Sequence, residues 1–195
     1  MPQRFSSAHQ HWLAYEFFDT SNYQKHRCYL IGRDRFEDFD AKNCLSIDQT
    51  RPNVLLFGDS HAAQYWPGLV NGYPDIHFLQ ANVSGCRPLR DVPGGETCQQ
   101  PRRWLFDDFL PTSGKKLDAL VLAGRWHSTN IPALSETLTA LTQNVDNVIV
   151  LGPIIEYSPD VPSLLVRSEL HDAPGLARRH RREECFDLTK KCVPS

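Results

Sequence analysis

The chain has 195 residues, 41% hydrophobic and 23% charged, the balance of a folded domain with room for one core. Lys and Arg total 21 against 23 Asp and Glu, and the net charge of -2 removes any global argument for nucleic acid as a partner. No window reaches the ~18 apolar residues of a membrane span, and the start, MPQRFSSAHQHW, lacks the basic-then-apolar layout of a signal peptide.

Residues 1–50 are polar and aromatic with little periodicity, and read as an irregular lead-in that docks on a domain spanning 51–195. Within it HQHWLAYEFF is weakly amphipathic, and LIGRDRFEDFDAKNC suggests a loop or hairpin. Regular structure begins at residue 53. NVLLFG is a continuous apolar run of strand length, and AAQYWPGLVNGY has helical spacing that Pro67 kinks or ends early. DIHFLQA is a second strand, and NVSGCRPL is a loop. After Gly94 and Gly95, ETCQQPRRWLFDDFLP reads as a helix, and DALVLAG as a third strand. IPALSETLTALTQNV repeats apolar residues at Ile131, Leu134, Leu138 and Leu141, an amphipathic helix. NVIVLGP is a fourth strand, VPSLLVRSEL a further element, and APGLARRHRREECF a charged helix. The basic cluster Arg178, Arg179, His180, Arg181 and Arg182 meets Glu183 and Glu184 at once, the pattern of a solvated helix face. Buried strands alternating with amphipathic helices predict an α/β fold with a central parallel sheet, and ligands there bind beyond the carboxyl ends of the strands.

Six cysteines, Cys28, Cys44, Cys86, Cys98, Cys185 and Cys192, fall as three couples in separate loops and form no C-x-x-C pair. That even count suits disulfides and an oxidising compartment, although buried thiols fit it too and spacing does not choose the connectivity. An oxidising compartment without an export signal leads us to expect a piece of a longer, exported protein.

Gly58-Asp59-Ser60 stands at the end of the first regular strand, directly before a helix. A sharp turn there exposes a serine hydroxyl, and the helix terminus offers N–H groups to a developing oxyanion. Ser and Asp are equally favoured as helix caps, so nucleophile and cap both fit the local pattern. The G-x-S-x-G elbow is not met, because Ala62 replaces its second glycine. No glycine-rich phosphate loop and no metal or cofactor motif is present; the acidic run Glu37 to Asp40 lacks a partner histidine and reads as surface. Trp66, Trp104 and Trp126 could stack on sugar rings but are more often core residues.

LLFGDSHAAQYWPGL resembles the first block of the SGNH hydrolase superfamily, in the form found in periplasmic SGNH domains fused to membrane-bound acyltransferases of the acyltransferase-3 type. ANVSGCRPL resembles that group's second block, and LDALVLAGRWHS its strand ending in Arg-Trp; together the three cover roughly residues 44–155. The resemblance implies a three-layer α/β/α sandwich, flavodoxin-like in layout. It implies a serine O-acyltransferase or esterase that passes an acyl group, acetyl by expectation, to hydroxyls of extracytoplasmic glycans such as lipopolysaccharide O-antigen. It implies a periplasmic location within an inner-membrane protein, a glycan acceptor, and a fused or associated membrane acyltransferase domain as acyl supplier, with no cofactor.

Carried over by position, Ser60 is the nucleophile, and the N–H groups of Ser60 and Gly85 form part of the oxyanion hole. Asp59, His61, Arg125, Trp126 and His127 are supporting residues; His61, adjacent to Ser60, is not taken as the base. Two departures stand out. Trp126 replaces the usual Asn of the third block, with Asn130 as a substitute donor, and no Asp-x-x-His occurs anywhere in the chain. The fold is therefore expected to lack its C-terminal strand or helix, and the serine to lack the base that would activate it. His127, just past a strand end, is the best stand-in; His77 lies inside a strand as a structural residue, and His171-Asp172 sits in a poorly defined loop. Two other readings remain: a catalytically incomplete SGNH-like module that binds glycan or scaffolds a partner, and a flavodoxin-like domain in which Ser60 caps a helix and grips an anion.

Overall fold

The computed structural model describes residues 6–13 and 21–182. They divide into two compact units, one within Ser21–Pro153 and one drawn from Met1–Thr20 and Ile154–Ser195.

The larger unit is built on a five-stranded parallel sheet: β1 (Tyr29–Leu30), β2 (Asn53–Gly58), β3 (His77–Val83), β4 (Ala119–Ala123) and β5 (Val148–Val150). Their order across the sheet is β1-β3-β2-β4-β5. β2 lies in the middle, with Gly58 in register with Asn82 on one side and Ala123 on the other. This explains its unbroken apolar run. Leu55, Leu56 and Phe57 are all buried because layers cover both faces, and each buried leucine contributes roughly 1.5–3 kcal/mol. On one face Leu56, Val121 and Ala123 pack with Ala62 and Trp66 of the helices that follow β2. On the other, the Phe57 ring meets Phe106 edge-on at 6.1 Å between centroids. The expected three-layer α/β/α sandwich is what forms.

All four strands expected from the sequence are present; the helices depart from it in informative ways. The segment after β2 is two helices, Ser60–Ala63 and Trp66–Gly72, with Pro67 in the first turn of the second, where its missing N–H has no intrahelical duty. The helix expected over 96–111 runs from Glu96 to Arg103 and then widens into a π-turn, Trp104–Phe109, in which the Leu110 N–H reaches back five residues to the Leu105 carbonyl. Pro101, inside the helix, cannot bond four residues back, and the ladder loosens after it. Ile131–Thr142 is the expected amphipathic helix.

Residues 21–50 are more ordered than an irregular lead-in. β1 adds a parallel edge strand beside β3, and Asp40 caps a short helix, Ala41–Cys44. Disulfides Cys28–Cys44 and Cys86–Cys98 tie this region and the loop after β3, so two of the three sequential couples are bridged. Cys185 and Cys192 lie outside the described residues.

In the smaller unit the helix Val161–Leu170 is capped by Asp160, whose carboxylate accepts from the Ser163 N–H at 2.8 Å. It packs against Ser7–Leu13, and His9 Nε2 lies 2.9 Å from Glu169 Oε2. The expected charged helix is short, Leu176–Arg179, and Arg178 to Arg182 are exposed; the rest of that stretch lies outside the described residues. Among the described residues no helix is long and apolar enough to cross a membrane.

Candidate active site

Three loops meet at the carboxyl edge of the sheet, after β2, β3 and β4. The first turns at Gly58, whose φ of 156° suits glycine, and a Cβ there would lie 1.8 Å from the Ala123 carbonyl oxygen. No other residue lets β2 and β4 approach this closely immediately before the turn. Asn82 braces the same carbonyl edge, donating from Nδ2 to the Gly58 oxygen at 3.4 Å, while Gln80 Nε2 donates to Asn82 Oδ1 at 2.8 Å.

Asp59 is the helix cap. It is 2% exposed, and its Oδ1 accepts from the His61 N–H at 2.8 Å. Its Oδ2 accepts from the Arg125 N–H at 2.9 Å, binding the loop after β4 to the turn after β2. Arg87 grips Arg125 from the other side, Nε donating to its carbonyl oxygen at 3.0 Å. Gly124 permits the approach: a Cβ there would stand 2.8 Å from Pro88 Cδ and 3.5 Å from Asp59 Oδ2.

With Asp59 capping, Ser60 is released from that role. It is the first helical residue and exposed, and its Oγ makes no hydrogen bond among the described residues. Its N–H, and that of Gly85 (φ 74°), are likewise unbonded there, although both neighbours of Gly85 donate: Ser84 N–H to Leu30 at 2.8 Å and Cys86 N–H to Val83 at 3.1 Å. The edge therefore presents one hydroxyl and two backbone donors from adjacent loops.

The other expected residues divide. The half-buried His61 ring lies beside Asp59, Nδ1 at 3.7 Å from Oδ1. His127 heads the turn Ser128–Asn130 directly after β4, its N–H donating to Asn130 Oδ1 at 2.9 Å. Asn130 is thus held at the correct edge. Trp126 is 2% exposed and its indole N–H donates to the Leu151 carbonyl at 2.7 Å, so it builds the core rather than a sugar platform. Trp66 is buried as well, and Trp104 stacks in a half-buried cluster with Phe36, Phe39 and Phe109. His77 opens β3 at the opposite edge, its ring nitrogens meeting the Ser46 carbonyl and Arg51. The sequence reading missed Asn82 and Arg87. Polar residues at alternate positions 80 and 82 of an otherwise apolar strand were the available signal for the first; nothing local marks the second.

A family model described as the SGNH domain (fused to AT3 domains) matches residues 27–190. The chain belongs to this SGNH family. Its match begins just before β1, in agreement with β1 being part of the sheet. This SGNH domain also superposes on the periplasmic domain of a lipopolysaccharide acetyltransferase from Salmonella ser. Paratyphi A, with a TM-score of 0.60 and 15% identity. The match covers 87% of this chain and 66% of that one, and at this identity it speaks for a shared fold. A comparison with curated proteins finds no match.

Proposed function

We propose that this domain transfers acyl groups, acetyl by preference, to hydroxyls of extracytoplasmic glycans, with Ser60 as nucleophile. The observation that carries the reading is the division of labour at the turn: buried Asp59 caps the helix, and exposed Ser60 keeps a free hydroxyl at the strand's carboxyl end. Family membership, and the likeness to a lipopolysaccharide acetyltransferase periplasmic domain, support acyl transfer to surface glycan in the periplasm.

On this reading Ser60 Oγ attacks the acyl carbonyl carbon, and the N–H groups of Ser60 and Gly85 receive the oxyanion. Collapse expels the donor's leaving group with a proton and leaves an acyl-serine. A sugar hydroxyl then attacks that ester, passing its proton to a base as Ser60 is regenerated. A fused or associated membrane acyltransferase domain supplies the acyl group. Asp59 positions, and His61, Arg125 and Asn130 support. A base must still take the serine proton. No Asp-x-x-His occurs in these 195 residues, so His127 is the stand-in this chain offers, and the full rate needs a base from elsewhere.

A serine-reactive fluorophosphonate tests the nucleophile. Ser60 takes the label and Ser60→Ala abolishes it. A folded protein that stays unlabelled even together with its membrane acyltransferase partner overturns the reading and favours a glycan-binding module without catalysis. The flavodoxin-like alternative meets a physical objection: the Asp59 carboxylate already occupies the helix terminus where an anion would sit. Calorimetry with phosphate or flavin showing tight binding there would reinstate it.

A further inference from the structure

A second polar feature lies in the larger unit, where the loop after β3 faces the helix Glu96–Arg103 and the π-turn. It is a cleft of roughly 240 Å³. At its wall stands Arg102, only 5% exposed. Its Nε donates to the Cys98 carbonyl at 3.0 Å, and Nη1 to the carbonyls of Leu89 and Val92 at 3.0 and 3.1 Å. Nη2 has no hydrogen-bond partner among the described residues, and no carboxylate lies within ion-pair distance of the guanidinium. Gly94 lets the guanidinium settle against the loop: a Cβ there would lie 2.9 Å from Nη2. Burial pushes the guanidinium's pKa down, and the charge of Asp91 opposes that only in part. A buried cation held by neutral carbonyls with no carboxylate in direct contact is an expensive arrangement, and a free guanidinium edge is shaped for a carboxylate.

The other charges around the cleft are compensated. Arg90 meets Asp107 at 3.3 Å and lies over the Phe106 ring, and Arg103 is paired with Glu96. Asp91 is three-quarters exposed and 3.9 Å from Arg90. Three arginines stand against Asp91, Asp107 and Glu96, so the cleft is neutral as a whole; Arg102 is the one of the three without an ion pair, and a single free guanidinium edge in a neutral cleft suits a monoanion better than a phosphate dianion. Around it Gln99, whose amide N–H is spent on the Gly94 carbonyl, keeps an acceptor oxygen, and Asp107 adds carboxylate acceptors for hydroxyls. The same loop carries Gly85 and Arg87 of the Ser60 edge at its other end.

We propose that this cleft binds the carboxylate of an acidic sugar, a uronate, with Arg102 Nη2 as its recognising donor. The proposal rests on the glycan reading above and names the class of acceptor. In calorimetric titrations of the folded domain, methyl glucuronoside binds at least about tenfold more tightly than methyl glucoside, the scale of one charge-assisted hydrogen bond. Arg102→Gln erases that preference. Val92→Asp leaves Arg102 and its backbone ties intact but adds a negative charge at the wall; it weakens glucuronoside several-fold and leaves glucoside unchanged. Equal affinity for the two glycosides, a preference surviving in folded Arg102→Gln, or inorganic phosphate binding as tightly as glucuronoside each overturns it. If Arg102→Gln fails to fold, Val92→Asp decides, and unchanged glucuronoside affinity is then the refutation. Fluorophosphonate labelling of the same variants together with the membrane acyltransferase partner separates the two readings: label without uronate preference refutes this inference alone, and uronate preference without label refutes the catalytic reading alone.

Discussion

The two edges of the central sheet use polar residues in opposite ways. At the amino edge nearly every polar group is matched. Asp48 accepts from the Thr50 and Arg51 N–H groups at 2.8 and 3.0 Å, and from the Arg51 guanidinium. Asn53 is 4% exposed; its Oδ1 takes the Asp48 N–H, its Nδ2 donates to the Asp48 carbonyl, and its own N–H donates to Asp118 Oδ2 at 2.7 Å. His77 is bonded on both ring nitrogens. At the carboxyl edge one buried carboxylate, Asp59, holds two loops together, and the groups beside it are left open: the Ser60 hydroxyl and two backbone N–H groups. Satisfied polar groups stabilise, whereas open ones in fixed positions are ready for a substrate. The comparison separates residues that keep the fold from those that would do chemistry, although both sets are polar and sit at strand ends.

Substitutions can break this contrast, and the largest effect is expected at Gly58. Gly58→Ala drives a methyl into the Ala123 carbonyl and forces a φ that alanine resists. A loss of roughly 3 kcal/mol or outright misfolding is expected, read by chemical denaturation. Asp59→Ala strips two N–H groups of their acceptor and removes the cap. Roughly 2–4 kcal/mol is lost, and fluorophosphonate labelling falls with it because the loop after β4 is untied. A labelling rate equal to wild type in folded Asp59→Ala would show that the tie does not position Ser60.

Asn53→Ala, at the opposite edge, costs about 1–3 kcal/mol through its orphaned partners but leaves labelling of the folded protein unchanged. Reduced labelling there would erase the distinction between the edges. Asp48→Asn tests the amino edge through pH. The Thr50 N–H, then the Arg51 guanidinium, hold the Asp48 carboxyl below its ordinary value of 3.8. A depressed carboxyl stabilises the fold above its unfolded pKa and loses that contribution as pH falls. The Tm gap between wild type and Asp48→Asn is therefore level from pH 7 to about 5 and closes below about 4. A gap that widens on acidification contradicts the network. Ser60→Ala should change stability least, within about 0.5 kcal/mol, since the exposed hydroxyl holds nothing, while labelling vanishes.

Much of the fold was legible because its signals are local. An apolar run such as NVLLFG announces a strand buried on both faces, and helical spacing from Ile131 to Leu141 announces its covering helix. Position of the Gly-Asp-Ser turn at a strand end was legible for the same reason. The short β1 escaped notice because two residues, Tyr29 and Leu30, carry no period, and only pairing with Asn82 and Val83 makes them a strand. The break after Arg103 was concealed because Trp104–Phe109 continues the helical apolar pattern while Pro101 alters the hydrogen bonding beneath it.

By itself, then, the sequence determined the strand–helix alternation and the serine at a strand's carboxyl end, both properties of neighbouring residues. Tertiary structure alone decided which of Asp59 and Ser60 would cap and which would stay free. That choice depends on the Arg125 N–H, 66 residues away, reaching Asp59 Oδ2. It likewise decided that Trp126 is core, that Arg87 clamps the loop after β4, and that Arg102 is buried without a direct ion pair. Such pairings rest on chain packing across the sheet, where proximity in space owes nothing to proximity in sequence.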